Sequence, residues 1–132
     1  MYPDHPKGDS MANPFVHVEL TTHDLPKAKQ FYSALFGWQL QDMPMADGKS
    51  YTMINVGDGT GGGMMTAPDP GIHPHSLPYV AVDDLAVATQ RAKDLGATMI
   101  MENVPVADYG QFTIFKDPTG AVIAMWQGTG QM

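Results

Sequence analysis

A constant shift of 60 residues superimposes the two halves of this 132-residue chain. Five residues of the first half, Asp24, Leu25, Ala28, Gln30 and Leu35, recur as Asp84, Leu85, Ala88, Gln90 and Leu95. Gly37 recurs as Gly96, after 59 residues. Helix capping alone explains recurrent Asp and Gly, but it does not explain a register that all five pairs share. The sequence therefore predicts an internal repeat, in which one structural unit is built twice.

The first half is predicted to contain a strand, a helix and three further strands. Residues 14–20 alternate, with Val16, Val18 and Leu20 on one face and Phe15, His17 and Glu19 on the other. Asp24 can cap a helix that carries an apolar stripe and ends at Gly37. Short strands are predicted over 38–43, 50–56 and 62–67, because turn-forming residues separate these segments.

The second half repeats this order. A strand over 77–82 precedes a helix that Asp83 or Asp84 can cap and that stops at Gly96. Three strands are predicted near 97–102, 110–115 and 121–127. Asp117-Pro118-Thr119-Gly120 predicts a tight turn between the last two, since proline presets one torsion angle and glycine accepts a positive one.

The length and the 43% hydrophobic content suit one domain with one core. We expect a flexible leader over 1–12 and a single domain over 13–128, made of modules 13–67 and 77–128 with a linker over 68–76. Each module can form a small curved sheet with one helix on its outer face. The predicted fold is α+β, with two tandem βαβββ modules that form a curved, partly open eight-stranded sheet around a cleft.

Composition excludes several classes of protein. Without cysteine, the chain has no disulfide framework, thiolate zinc site or cysteine nucleophile. Its net charge of −7 makes nucleic acid and anionic membranes poor partners. The sequence also has no long apolar run and no basic, apolar export signal at its start. The predicted location is the cytoplasm.

Several segments resemble the vicinal oxygen chelate superfamily of glyoxalase I, bleomycin-resistance proteins, fosfomycin-resistance transferases and extradiol dioxygenases. They are FVHVELTTHDLPKAKQFYSALFGW, the GGGMM run at 61–65, LPYVAVDDL and KDPTGAVIAMWQ. The resemblance covers residues 13–128 and is strongest to the poorly characterised glyoxalase-like branch. It implies the fold and a homodimer, but not one activity, because this fold carries several chemistries and also pure binding.

Enzymes of this superfamily hold a divalent ion with side chains from particular strands of each module. By resemblance, those places fall on His17, on one of Met64, Met65 and Thr66, on Leu77 and on Ala124. Of these, His17 alone carries a strong ligand for a divalent ion. The resemblance therefore implies that the metal site is lost and that no cofactor is needed. A site rebuilt from Glu19, His73 and His75 remains an alternative.

His17 and Glu19 are the candidate catalytic or anchoring pair, because a period of two places them on one strand face. Either His17 acts as a hydrogen-bonding anchor or general base in the cleft, or neighbouring backbone satisfies it. An apolar floor for a flat or hydrophobic ligand is predicted from Phe15, Met64, Leu77, Tyr79, Ala124 and Trp126.

Three functions follow as hypotheses. The first is a glyoxalase/bleomycin-resistance-like protein that binds a small organic ligand in the cleft without a metal. The second is a lyase, isomerase or dioxygenase-type enzyme that uses His17 and Glu19, with or without an unorthodox metal site. The third is a non-catalytic interaction module whose groove is a dimer surface.

Overall fold

The computed structural model describes residues 13–45 and 48–129. Two compact units are present: one spans Val16–Pro78, and the other combines residues 13–15 with the chain from Tyr79 onward. We call them the first and the second unit. The predicted leader over 1–12 lies outside the described residues. None of the described helices is long and apolar enough to cross a membrane.

The first unit contains β1 (Phe15–Thr22), α1 (Leu25–Phe36), β2 (Gln39–Pro44), β3 (Ser50–Asn55) and β4 (Gly62–Thr66), with Phe15 itself assigned to the second unit. Its strands are ordered β2-β3-β4-β1. β1 and β4 are parallel, whereas β4, β3 and β2 are antiparallel neighbours.

The second unit repeats this architecture with β5 (His75–Ala81), α2 (Leu85–Asp94), β6 (Thr98–Val106), β7 (Gly110–Lys116) and β8 (Val122–Gly128). The first residues of β5 precede the unit boundary at Tyr79. Its strands are ordered β5-β8-β7-β6, with β5 parallel to β8. The predicted fold class is therefore confirmed: the chain is α+β, with two βαβββ modules.

Both helices begin with the same interaction, 60 residues apart. The Asp24 carboxylate accepts a hydrogen bond from the backbone N–H of Lys27 at 3.1 Å, and the Asp84 carboxylate accepts one from Val87 at 3.1 Å. Each satisfies a backbone donor that the first helical turn leaves unpaired. Gly37 then ends α1 in the left-handed conformation, with φ at 72°.

The Asp117 turn joins β7 to β8 as predicted. The Asp117 carboxylate accepts hydrogen bonds from the Thr119 side chain and from the backbone N–H groups of Thr119 and Ala121. These bonds lower the pKa of Asp117. Gly120 has a φ of 102°, as such a turn requires.

β6 is longer than predicted, because it continues past 102 to Val106 through two irregularities in its pairing with β7. Pro105 does not end it. β6 is an outer strand of its unit's sheet, where a residue without an N–H is tolerated.

The shared caps give a matched pair of variants. We expect Asp24→Ala and Asp84→Ala each to lower the free energy of unfolding by about 1 kcal/mol, because each leaves a helical N–H without its side-chain acceptor. Urea unfolding measures both. Asp58→Ala, which removes an exposed loop carboxylate, is the control. A cost for Asp58→Ala equal to that of the other two would contradict the capping role.

Candidate functional site

The sheet of the first unit has one face covered by α1 and one face that α1 does not cover. Lys29 of α1 forms an ion pair with Asp42 of β2 at 2.9 Å, which identifies the covered face. The Thr52 hydroxyl donates to the same carboxylate at 2.7 Å, and the two residues are paired across β2 and β3. We call the opposite face the helix-free face.

Met64 lies on the covered face. It is paired with Thr52 on one side and with Leu20 on the other, and it has no exposed surface. It is therefore excluded as a ligand-binding residue of the helix-free face, contrary to the prediction. Its neighbour Met65 points to the helix-free face instead, because successive strand residues alternate.

The helix-free face carries a network of three polar side chains. Nε2 of His17 lies 2.8 Å from the hydroxyl oxygen of Tyr51, and the two rings stack with an interplanar angle of 20°. The Tyr51 hydroxyl also hydrogen-bonds the carboxylate of Glu19. The predicted pair of His17 and Glu19 is thus brought together, with Tyr51 between them.

Gly63 makes this network possible. Tyr51 is on β3 and must reach across β4 to meet β1. A Cβ atom at Gly63 would overlap the ring and the hydroxyl of Tyr51. At Gly62, a Cβ atom would overlap the carbonyl of Val18, so this glycine allows β1 and β4 to approach.

The surroundings set the protonation of the network. Burial lowers the pKa of His17 below its ordinary value, although the charge of Glu19 opposes this shift. Burial, the charge of Glu19 and the hydrogen bond to Glu19 all raise the pKa of Tyr51. At neutral pH the imidazole and the phenol are therefore both uncharged.

Donor capacity orders the hydrogen bonds. A carboxylate can only accept, so the single proton of the Tyr51 hydroxyl is donated to Glu19. The Tyr51 oxygen then accepts from His17, which places a proton on Nε2 of the neutral imidazole. The network runs in one direction, from imidazole to phenol to carboxylate.

The second unit has an aromatic helix-free face. Thr89 of α2 bonds Thr113 of β7 at 2.8 Å, so α2 covers the face that carries Thr113. The alternate residues face away from α2, and they include Tyr79, Phe112, Ala124 and Trp126.

The contacts on this face are apolar. The ring centroids of Tyr79 and Phe112 lie 6.2 Å apart, edge to face, and Ala124 is fully buried beside Tyr79. Trp126 packs over Gly110, where a Cβ atom would lie 2.7 Å from the indole ring. Tyr79, Ala124 and Trp126 share one face, as the alternation predicts.

The two remaining candidates for the apolar floor differ in exposure. Phe15, at the start of β1, exposes 58% of its surface, whereas Leu77 of β5 exposes 6%. Their roles in ligand binding stay predictions.

The described residues do not fit the divalent ion that the resemblance implies. Within 13–45 and 48–129, no three His, Cys, Asp or Glu side chains come together as a possible ion site. The Tyr51 hydroxyl engages Nε2 of His17, and Ala124 offers no donor. His75, one of the alternative ligands, bonds the backbone carbonyl of His73 at 2.7 Å on an exposed segment.

Tyr51 is the site residue that the sequence did not reveal. Its alternation with Met53 and Asn55 placed it on one face of a predicted strand, which was the available signal. The contact itself depends on the pairing of three strands and on the missing side chain at Gly63.

Two βαβββ units with the same strand order define a protein built from duplicated glyoxalase-like modules. The family model for the Glyoxalase/Bleomycin resistance protein/Dioxygenase superfamily matches residues 15–125. The chain therefore belongs to this superfamily.

Relatives and solved structures agree with this assignment. The provisionally named glyoxylase CFP32 of Mycobacterium tuberculosis is 34% identical over 107 residues, which cover 81% of this chain and 41% of that protein. The anthracycline biosynthesis protein DnrV of Streptomyces peucetius is 28% identical, over 83% of this chain and 45% of that protein. The chain thus spans less than half the length of these relatives.

Among solved structures, methylmalonyl-CoA epimerase from Mycobacterium tuberculosis matches with a TM-score of 0.73 and 18% identity, covering 96% of this chain and 95% of that one. The hypothetical protein BH1468 from Bacillus halodurans matches with a TM-score of 0.72 and 15% identity, covering 91% and 97%. At these identities the likeness shows the fold alone.

The contact between Gly63 and Tyr51 can be tested by a double-mutant cycle. We expect Gly63→Ala to destabilise the fold by about 1–3 kcal/mol, because the new methyl group must displace the phenol. In a Tyr51→Ala background the same change should cost less, and urea unfolding of the four proteins gives the coupling. The control is Gly71→Ala, whose Cβ atom would lie 3.4 Å from its nearest neighbour. Additive costs would contradict the contact.

The lowered pKa of His17 predicts how stability depends on pH. Below about pH 6.5 the unfolded chain binds a proton at this residue more readily than the folded chain. The stability that neutral His17 contributes is therefore present above that pH and is lost on acidification. We expect the fall in unfolding free energy between pH 7.5 and pH 5 (pH values chosen to bracket about 6.5) to be smaller in His17→Gln. Equal effects of His17→Gln and of His73→Gln, which removes an exposed imidazole, would contradict this origin.

Proposed function

We propose that this protein binds a small organic molecule on the helix-free face of the first unit, at the His17–Tyr51–Glu19 network, without a divalent ion. The observation that carries the proposal is the Tyr51 hydroxyl, which bonds both His17 and Glu19. A polar network of this kind orients a ligand through a few fixed hydrogen-bonding groups.

The surroundings of the network support ligand binding. Met53, on the same face, exposes 41% of its surface, and it is paired with Gly63, over which the Tyr51 ring lies. Flexible, polarizable methionine side chains adapt to the shape of organic ligands. The names of relatives point to organic small molecules as well, since they include an anthracycline biosynthesis protein and a methylmalonyl-CoA epimerase.

Absence of the metal is part of the proposal. It is supported by the donor set, in which His17 is hydrogen-bonded to a phenol and the places implied on β5 and β8 are Leu77 and Ala124. A divalent site normally needs three protein ligands.

Proton transfer at the same network is the second candidate function. It is favoured by the lowered pKa of His17, because an imidazole that is neutral near pH 7 can accept a proton from a bound substrate. In this case His17 would be the base, and Tyr51 and Glu19 would hold its orientation. Turnover of a bound compound that is lost in His17→Gln would favour this candidate over binding alone.

The homodimer that the resemblance implies stays a prediction. Phe31, Leu35 and Phe36 of α1 each expose 56–58% of their surface, which is compatible with a further contact. The cytoplasmic location also stays a prediction.

The binding proposal can be tested by NMR titration of the labelled protein with aromatic fragments in excess EDTA. We expect shifts to concentrate in the backbone amides of 15–22, 50–55 and 62–66. Tyr51→Phe should weaken binding by about tenfold, because it removes the central hydroxyl. The control Tyr109→Phe removes an exposed hydroxyl in the second unit and should bind as the wild type does.

Two results would contradict the proposal. One is a fragment set that shifts no amide in these strands. The other is binding that EDTA abolishes and a divalent ion restores.

A further inference from the structure

The helix-free face of the first unit has an unusual charge content. The strand pairings place eleven residues on it: His17, Glu19, Thr21, Gln39, Gln41, Met43, Tyr51, Met53, Asn55, Gly63 and Met65. None of these strand residues is lysine or arginine, and Glu19 is the one carboxylate among them.

The other charged groups of these strands and of α1 do not compensate Glu19. Asp42 lies on the opposite face, where Lys29 of α1 binds its carboxylate at 2.9 Å. On the helix-free face itself, burial keeps His17 and Tyr51 uncharged at neutral pH. The strand residues of this face therefore carry one negative charge.

A groove of about 450 Å³ extends this face toward the ends of β2 and β3. It is lined by the amides Gln39, Gln41 and Asn55, by Met53 and other apolar side chains, and by the glycines of 57–61. No charged residue lines it. Because Met53 is paired with Gly63, the groove and the Tyr51 ring meet at neighbouring strand positions.

We infer that this face selects its ligand by charge: it takes an uncharged, hydroxyl-bearing aromatic molecule and rejects carboxylates, phosphates and other anions. This inference rests on the proposed function and specifies its ligand class. Amide groups and the Glu19 carboxylate offer acceptors to a ligand hydroxyl. Met53 and its neighbours Met43 and Met65 offer sulfur contacts to an aromatic ring.

Repulsion by Glu19 is the physical basis of the rejection. An anion in hydrogen-bonding reach of this network lies within several ångströms of the carboxylate, with no strand cation on this face to offset it. At the effective dielectric constant of a protein surface, such a like-charge contact costs at least about tenfold in affinity. A neutral ligand of the same shape does not meet this cost.

The test compares two probes of the same skeleton, 2-naphthol and 2-naphthoate, by NMR titration of the full chain at pH 7. We expect 2-naphthol to bind at least about tenfold more tightly than 2-naphthoate. In Glu19→Gln the ratio should fall to within about threefold, because the amide keeps an acceptor for Tyr51 but removes the charge. Glu102→Gln, in the second unit, is the matched control and should keep the wild-type ratio.

A second measurement needs no variant. Raising the salt concentration should narrow the ratio in the wild-type protein, since salt screens the repulsion of an anion by a partly exposed charge. This reading holds whether or not Glu19→Gln folds.

The outcomes separate the inference from the proposed function. Binding of 2-naphthoate as tight as that of 2-naphthol, or a ratio that neither Glu19→Gln nor salt changes, overturns charge selection and leaves small-molecule binding intact. Binding of neither probe at the helix-free face overturns both.

Discussion

The absence of side chains at two consecutive positions of β4 underlies the first unit. At Gly62 it allows β1 and β4 to pair, because any Cβ atom there would overlap the carbonyl of Val18. At Gly63 it allows the Tyr51 ring to cross the strand and reach β1. The glycine run is therefore neither a loop nor a phosphate-binding motif. It is a strand thinned so that its neighbours can approach each other from both sides.

Duplication has preserved the scaffold and changed the surface. The capping carboxylates of Asp24 and Asp84 make equivalent hydrogen bonds, and the strand order is the same in both units. The helix-free faces differ: one carries an imidazole, a phenol and a carboxylate, whereas the other carries Tyr79, Phe112 and Trp126. Caps and pairing are local requirements of the fold, but side chains that face away from the helix are free to diverge.

Local patterns predicted the elements, and non-local pairing decided the site. The Asp caps, the Asp117 turn and the shared face of His17 and Glu19 all follow from neighbours in sequence, so they could be predicted. Tyr51 could not be predicted as a partner of His17, because 34 residues separate them and their contact crosses a third strand. Met64 was placed on the wrong face because a strand that starts with glycines offers no alternation from which to read its direction.

The second unit is discontinuous in the chain. Its N-terminal residues attach far downstream, since the Asn13 amide donates to the carbonyl of Ala81 and the carbonyl of Pro14 accepts from the N–H of Ala81. During synthesis, residues 13–15 leave the ribosome well before their partner has been made. They can join the second unit only after the whole first module and β5 have emerged, so completion of this domain is tied to late translation.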